Sequence, residues 1–574
     1  MNDIRRTILW VIFGFSMVLL WDQWQIHGGK KATFFPGATP PAVSAAAPAS
    51  AKPGQNSGVP NAVALAAAPV VGAIPAFAPA ASVAPKVRFD VSTDVVKLTF
   101  DTEGGSLVRT EFLKHIDMAD KAHNFVLLDE SKNNIYMAQA GVVAGTTGGA
   151  FPTHKTPMTV VGPRTLADGE NELVLQFTSA DVGGIKLVKT YTIRRGAYDI
   201  AVKHTLTNTS AAPIAPQLYL QLVRDGSKPA GESSFYSTFT GPAVYTEAKK
   251  YQKVEFTDIK KKKADYEKTA NNGYVAMVQH YFASAWILPE GVERTFSLDG
   301  VDIGSEMADC CYRATMLAPL STIEPGASKS VDAIFFAGPQ EEKKLEALAK
   351  GLELVKDYGW LTILAKPLYW LLDQLHTVIQ NWGWSIVALV LLLKIAFYWL
   401  NAKAYASMAK MKAVNPKIME MRERLKDKPQ QMQQEMMRIY REEKVNPMGG
   451  CFPIMVQIPV FIALYWVLLS SVEMRNAPWA LWIHDLSSPD PFFILPVVMT
   501  LTTLLQTALN PAPPDPLQAK MMWLMPLIFS VMFFFFPAGL VLYWITNNIL
   551  SIAQQWIINT RMGVPPQFNL PKFK

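Results

Sequence analysis

Cysteine is almost missing: the 574 residues hold three, Cys310, Cys311 and Cys451. Two of them are adjacent, where a bridge is strained. No disulfide framework and no cysteine-based metal site is implied. Charge is scarce as well. Asp, Glu, Lys and Arg make up 18% of the chain, against roughly 25% in a soluble domain, and mean hydropathy is +0.13. Tryptophan is missing from one long stretch. Of 15, only Trp286 lies between Lys30 and Gly359, and the other 14 flank or sit in apolar runs, as membrane-interface anchors do. These gaps exclude a wholly soluble, a wholly disordered and a disulfide-scaffold protein. A chain made only of membrane helices is excluded too, because 40 prolines and 34 glycines are too many. No GxxxxGK[ST] loop is present, so no nucleotide hydrolysis is expected.

The chain therefore has at least two regimes. Arg5-Arg6 precede an apolar run from Ile8 to Trp21, which places the N-terminus in the cytoplasm. Bulky Trp21-Asp22-Gln23-Trp24-Gln25 stands where a cleavable signal has small residues, so residues 1–25 are expected to be an uncleaved anchor. Residues 26–85, Ala/Pro/Ser/Gly-rich and almost uncharged, form a tether. Over 86–345 the period becomes two. Val95–Phe100, Leu173–Thr178, Lys186–Ile193 and Tyr198–Leu206 alternate, and Arg194-Arg195-Gly196 separates the last two as a turn. Many short strands predict a large all-β sandwich. It follows a span whose N-terminus is inside, so it belongs outside the cytoplasm. No carboxylate pair, histidine cluster or nucleophile motif is evident in it. Lys260–Lys263 reads as a solvated loop.

Residues 346–383 contain an amphipathic stretch from Trp360 to Ile379, expected to lie in the outer interface. Five further spans are expected at about 384–400, 451–471, 492–509, 521–536 and 538–557, with Pro537-Ala538-Gly539 breaking the last two. Six spans return the C-terminal tail, 558–574, to the cytoplasm. The segment 401–448 carries eleven Lys/Arg against six Asp/Glu, a net +5 that marks the inner side. It reads as a helical hairpin turning at Lys426–Pro429, with eight methionines that either pack helix on helix or hold nascent apolar segments.

Lys394 sits inside Val390–Phe397, otherwise apolar. A charge there costs up to ~2.5–3.5 kcal/mol on insertion scales and usually faces a polar cavity. The later spans hold no Asp or Glu. They offer neutral polar groups instead, among them Gln457, Gln506 and Tyr543, with Trp544 beside the last. A lone cation among neutral polar groups suits an anionic visitor rather than a proton relay. A small-solute transporter or channel with an external β domain is the alternative. It predicts repeated halves and ion-coupling acids, and neither is visible.

Three stretches carry a resemblance. Glu443–Pro453 runs on to Gln457-Ile458-Pro459-Val460-Phe461; Ala477-Pro478-Trp479-Ala480 runs into Leu481–Leu486; and Phe536-Pro537-Ala538-Gly539-Leu540 ends in Val541-Leu542-Tyr543. With the order of domains, the chain resembles the YidC/Oxa/Alb family of membrane protein insertases. The resemblance implies a supersandwich-like periplasmic β domain and a five-helix core with a hydrophilic groove in the bacterial inner membrane. It implies no cofactor and no covalent chemistry. It implies partners of three kinds: nascent membrane proteins, the Sec translocon and ribosome, and the lipid bilayer, with no direct nucleic-acid contact. Lys394, Gln457, Gln506, Tyr543 and Trp544 would line the groove, and Met455, Phe461, Met532 and Phe535 would form an apolar slide. The family pattern usually has arginine where this chain has Lys394, which keeps the charge and gives up the bidentate fork. Trp399 stands where proline is common.

Overall fold

The computed structural model describes residues 58–60, 86–144 (119 apart), 151–229, 238–303, 310–425, 428–443, 452–510, 516–563 and 568. The expected anchor at 1–25, most of the tether, the motif residues 444–451 and most of the tail lie outside the described residues. The chain divides into two compact units between Lys356 and Asp357.

The first unit is two nine-stranded antiparallel sheets. Sheet one runs, in spatial order, β1 (Arg88–Ser92), β2 (Val96–Asp101), β3 (Ser106–Ile116), β4 (Asn124–Glu130), β5 (Ile135–Ala144), β10 (Pro216–Arg224), β17 (Tyr312–Pro319), β16 (Arg294–Gly300) and β13 (Thr269–Ala270). Sheet two runs β12 (Lys250–Lys253), β11 (Gly241–Thr246), β14 (Tyr274–Gln279), β15 (Phe282–Ile287), β18 (Ser328–Pro339), β9 (Asp199–Asn208), β8 (Ile185–Arg194), β7 (Glu172–Ser179) and β6 (Met158–Val161). Strand β8 shows why the pattern was readable: Ile185, Leu187, Lys189, Tyr191 and Ile193 are buried, and the residues between them are not. The turn to β9 leaves Ile193 opposite Ile200. Strands β10, β14 and β15 are buried on both faces. The lysine run is exposed, at the end of the short helix α1 (Phe256–Lys260) and the turn after it. Helix α2 (Glu342–Leu348) closes the unit.

Lys189 and Arg294 lie buried in this sandwich with no carboxylate within ion-pair distance among the described residues. Lys189 faces the inter-sheet core, fully buried, opposite His204. Its Nζ crosses to the other sheet and donates to the carbonyls of Gly104 and Ala140, at 2.6 Å each. Arg294 donates to five carbonyls, those of Asn271, Gly273, Leu288, Pro289 and Val292. A buried charge is tolerable only when its hydrogen bonds are met. Here neutral carbonyl dipoles meet them.

The second unit is helical: α3 (Thr362–Ile379), α4 (Trp382–Ala396), α5 (Tyr398–Arg424), α6 (Pro429–Glu442), α7 (Phe452–Ser470), α8 (Ile494–Leu509), α9 (Pro516–Met532) and α10 (Ala538–Arg561). No single described helix is long and apolar enough to cross a membrane; α4 and α5 pass that test together, bent by 68°. The apolar run expected over 384–400 is thus broken after Ala396. Leu391, Leu392 and Ile395 of α4, Val497, Leu501 and Leu505 of α8, and Leu527, Ile528 and Val531 of α9 are exposed, far more apolar surface than a soluble bundle leaves uncovered. Helix α3 buries Ala365, Tyr369 and Leu372 and exposes Ile363, Trp370 and Val378. In the hairpin, Met411, Met421, Met432 and Met436 pack between α5 and α6, whereas Met419 and Met437 are exposed.

Burial pulls the Lys189 ammonium down to about 7. Burial, and then the nearby Lys189 charge, pull the imidazoles of His154 and His204 down to about 3. Between pH 7 and the ordinary lysine value of 10.5 the unfolded chain therefore holds the extra proton, and stability rises with pH. Between 6.5 and 3 the two histidines act in the same sense, and stability is lost as pH falls. The thermal midpoint of the β unit, followed by near-UV circular dichroism on the whole protein, should rise from pH 7 to 9. Lys189→Met should flatten that slope, which for one group is at most about 1.4 kcal/mol per pH unit.

Candidate substrate groove

Helix α4 is fixed at its start. The Asn381 side chain accepts from the Trp384 N–H at 3.0 Å and donates to the carbonyls of Pro478 and Trp479. Gly383 is needed there, since a Cβ would stand 2.2 Å from the Trp479 ring. The motif loop Ala477–Ala480 is thereby tied to the helix that carries Lys394.

At the other end, Lys394 occupies the last turn of α4 and is 6% exposed. The partial negative charge of the helix C-terminus favours a cation at this position. Its Nζ donates to the Ser551 hydroxyl of α10 at 2.7 Å, and Ser551 donates to the Asn547 carbonyl. Among the described residues no carboxylate stands within ion-pair distance of Lys394.

The bend after Ala396 frees backbone carbonyls that a continuous helix would use. The Lys394 carbonyl accepts from Gln554 Nε2 at 3.2 Å. Asn401, just past the bend, donates to Gln554 Oε1 at 3.3 Å and accepts from Gln457 Nε2 at 2.7 Å. Asn401 is therefore the joint between α5, α7 and α10. A second polar group lies between α8 and α10. Asn548 Nδ2 reaches Thr503 Oγ1 at 2.8 Å and Thr502 Oγ1 at 3.2 Å, and Gln555 reaches the Leu509 carbonyl and Asn510.

Of the residues singled out from sequence, Lys394 and Gln457 belong to one network, through Asn401 and Gln554. Gln506 lies half-buried on α8. Tyr543 and Trp544 lie elsewhere, with Phe461: the Tyr543 ring stacks on it at 5.6 Å and the Trp544 ring meets it edge-on at 4.5 Å. Met532 is half-buried against the same apolar core, and Phe535 is half-exposed at the end of a 3-10 turn. The side chain of Met455, early in α7, lies outside the described residues. Sequence reading passed over Asn401, Asn548, Ser551, Gln554 and Gln555. The last four recur at helical spacing along α10, a polar stripe that periodicity could have exposed.

The fold is thus that of a membrane protein whose helical unit accompanies a large β domain. Residues 88–371 match the family described as YidC periplasmic domain, and residues 374–564 match the family described as 60Kd inner membrane protein. The chain is 55% identical over 563 residues to the membrane protein insertase YidC of Cupriavidus necator, covering 98% of both chains. It is 53% identical to that of Bordetella petrii over 569 residues, again 98% of each. A crystal structure of an active YidC insertase aligns with a TM-score of 0.37 at 19% identity, covering 82% of this chain and 92% of that one. The chain belongs to the YidC family of membrane protein insertases. It is an inner-membrane protein with a periplasmic β domain, and its family role is not that of an enzyme.

A double-mutant cycle tests the joint. Removing either Asn401 or Gln457 leaves a buried partner unsatisfied, at about 1–3 kcal/mol. Asn401→Ala with Gln457→Ala should therefore fall short of additivity in detergent unfolding by about 0.5 kcal/mol or more. Strict additivity would show that the two side chains are not coupled.

Proposed function

We propose that this protein inserts nascent membrane proteins through a polar groove whose single cation is Lys394, without nucleotide hydrolysis. The observation that carries this reading is the ammonium of Lys394, buried against a serine hydroxyl with no described acid beside it. Such a cation lacks a full counter-charge. An acidic residue of an incoming segment would supply it, and Ser551, Asn401, Gln457 and Gln554 would exchange their mutual hydrogen bonds for bonds to the visitor. Gln506 joins them from α8. Met455, Phe461, Tyr543, Trp544, Met532 and Phe535 give the segment's apolar side a surface to move along. Partition of that side into lipid drives the step, at about 25 cal/mol per Å² buried.

In this reading the chain spans the inner membrane six times, with both termini in the cytoplasm. The α5–α6 hairpin meets the substrate first, and its exposed Met419 and Met437 suit varied apolar segments. The Sec translocon and the ribosome are the partners this placement implies.

The test is insertion of a small double-span protein with an acidic external tail into liposomes holding only this protein. Lys394→Ala should lower insertion by about tenfold, equivalent to roughly 1.4 kcal/mol. Lys394→Arg should retain it. Equal insertion by all three proteins would remove Lys394 from the mechanism.

A further inference from the structure

Three residues of the tether, Gly58, Val59 and Pro60, rest on the β unit, and Gly58 and Pro60 are buried there. They meet the outer face of sheet one, where residues 137–143 of β5, 217–223 of β10 and 313–319 of β17 line up at every second position. Two donors converge on the Gly58 carbonyl: Arg313 Nη1 at 2.9 Å and Gln221 Nε2 at 3.3 Å. Both donors are held by other groups, Arg313 by Asp299 at 3.3 Å and Gln221 by Gln139 at 2.7 Å. Val59 packs against Val143, Tyr219 and Leu317. Tyr219 is itself fixed by His154, whose backbone N–H and Nδ1 both meet its hydroxyl. Gly58 has φ +72°, a conformation that side chains rarely adopt.

We propose that the outer face of sheet one is a receptor for an extended Gly–Val–Pro peptide, and that this chain's own tether at Gly58–Pro60 is its resident ligand. Each residue has a separate reason to be there. Glycine supplies the left-handed turn that aims its carbonyl at Arg313. Valine fills the apolar recess. Proline has no N–H to leave unpaired in a buried position. Two buried polar atoms on the same face, Gln221 Oε1 and Thr315 Oγ1, have no partner among the described residues, so the receptor has hydrogen-bonding capacity left for an extended main chain.

Val59→Cys in the full-length protein in nanodiscs tests this, since cysteine keeps the site small and apolar. Its maleimide labelling, read by peptide mass spectrometry, is compared with that of Val161→Cys at a position 72% exposed. Labelling should be about tenfold slower at position 59. Adding Arg313→Met, or Gly58→Val, which leaves the β unit itself unchanged, should bring it to within about twofold of the reference. An excess of the peptide Ser-Gly-Val-Pro-Asn should do the same, and a scrambled peptide should not. Fast labelling of Val59→Cys without any further change would overturn the clip. Slow labelling that the peptide leaves unaltered at millimolar concentration would overturn the receptor.

Discussion

The hydrogen bond from Lys394 to Ser551 joins the last turn of α4 to the middle of α10, and the rest of the helical unit is arranged so that this ammonium can stay buried. A full counter-charge would neutralise it. A serine hydroxyl and the dipole of the helix end stabilise it only in part. The helix stops two residues later, Gln554 takes up the carbonyl that the stop leaves open, and Asn401 links that glutamine to Gln457. Cation, bend and joint are one device. On the proposed reading, a carboxylate in place of Ser551 would complete the pair and remove the attraction for an anionic visitor.

The β unit treats its buried cations by a related rule with a different outcome. Lys189 and Arg294 are met by backbone carbonyls, that of Ala140 in β5 and the others in turns beside the strands. Backbone carbonyls have less freedom than side chains, so the two buried groups act as cross-links within the sandwich. The Lys394 ammonium instead meets a side chain, Ser551, and the network beside it, Gln554, Asn401 and Gln457, is made of side chains on α10, α5 and α7, which can change partner. The same chemistry is structural in one unit and, on the proposed reading, exchangeable in the other.

How far the sequence is legible follows from the same physics. Strands β7, β8 and β9 have one face in the core and one in water, so their residues alternate. Strands β10, β14 and β15 are covered on both faces, and burial on both sides erases the alternation. Lys394 stands out because a cation in an apolar run is rare. Its partners do not, because serine, asparagine and glutamine are ordinary on helices and only their spacing on α10 marks them. The end of α4 was unreadable, since Phe397 and Tyr398 continue the apolar run and the break depends on side chains far along the chain. The seat of Gly58–Pro60 was hidden for a similar reason. Its receptor is assembled from three strands distant in sequence, while the tether itself has a uniform composition.

On the proposed reading a positive charge at the α4–α10 contact, rather than any particular helix position, draws in the substrate. The most direct measurement moves that charge across the contact: Lys394→Ser combined with Ser551→Lys, assayed for insertion in proteoliposomes beside Lys394→Ser alone. The account predicts that the single variant fails and the swap recovers insertion. A folded swap variant that inserts no better than the single variant would contradict it.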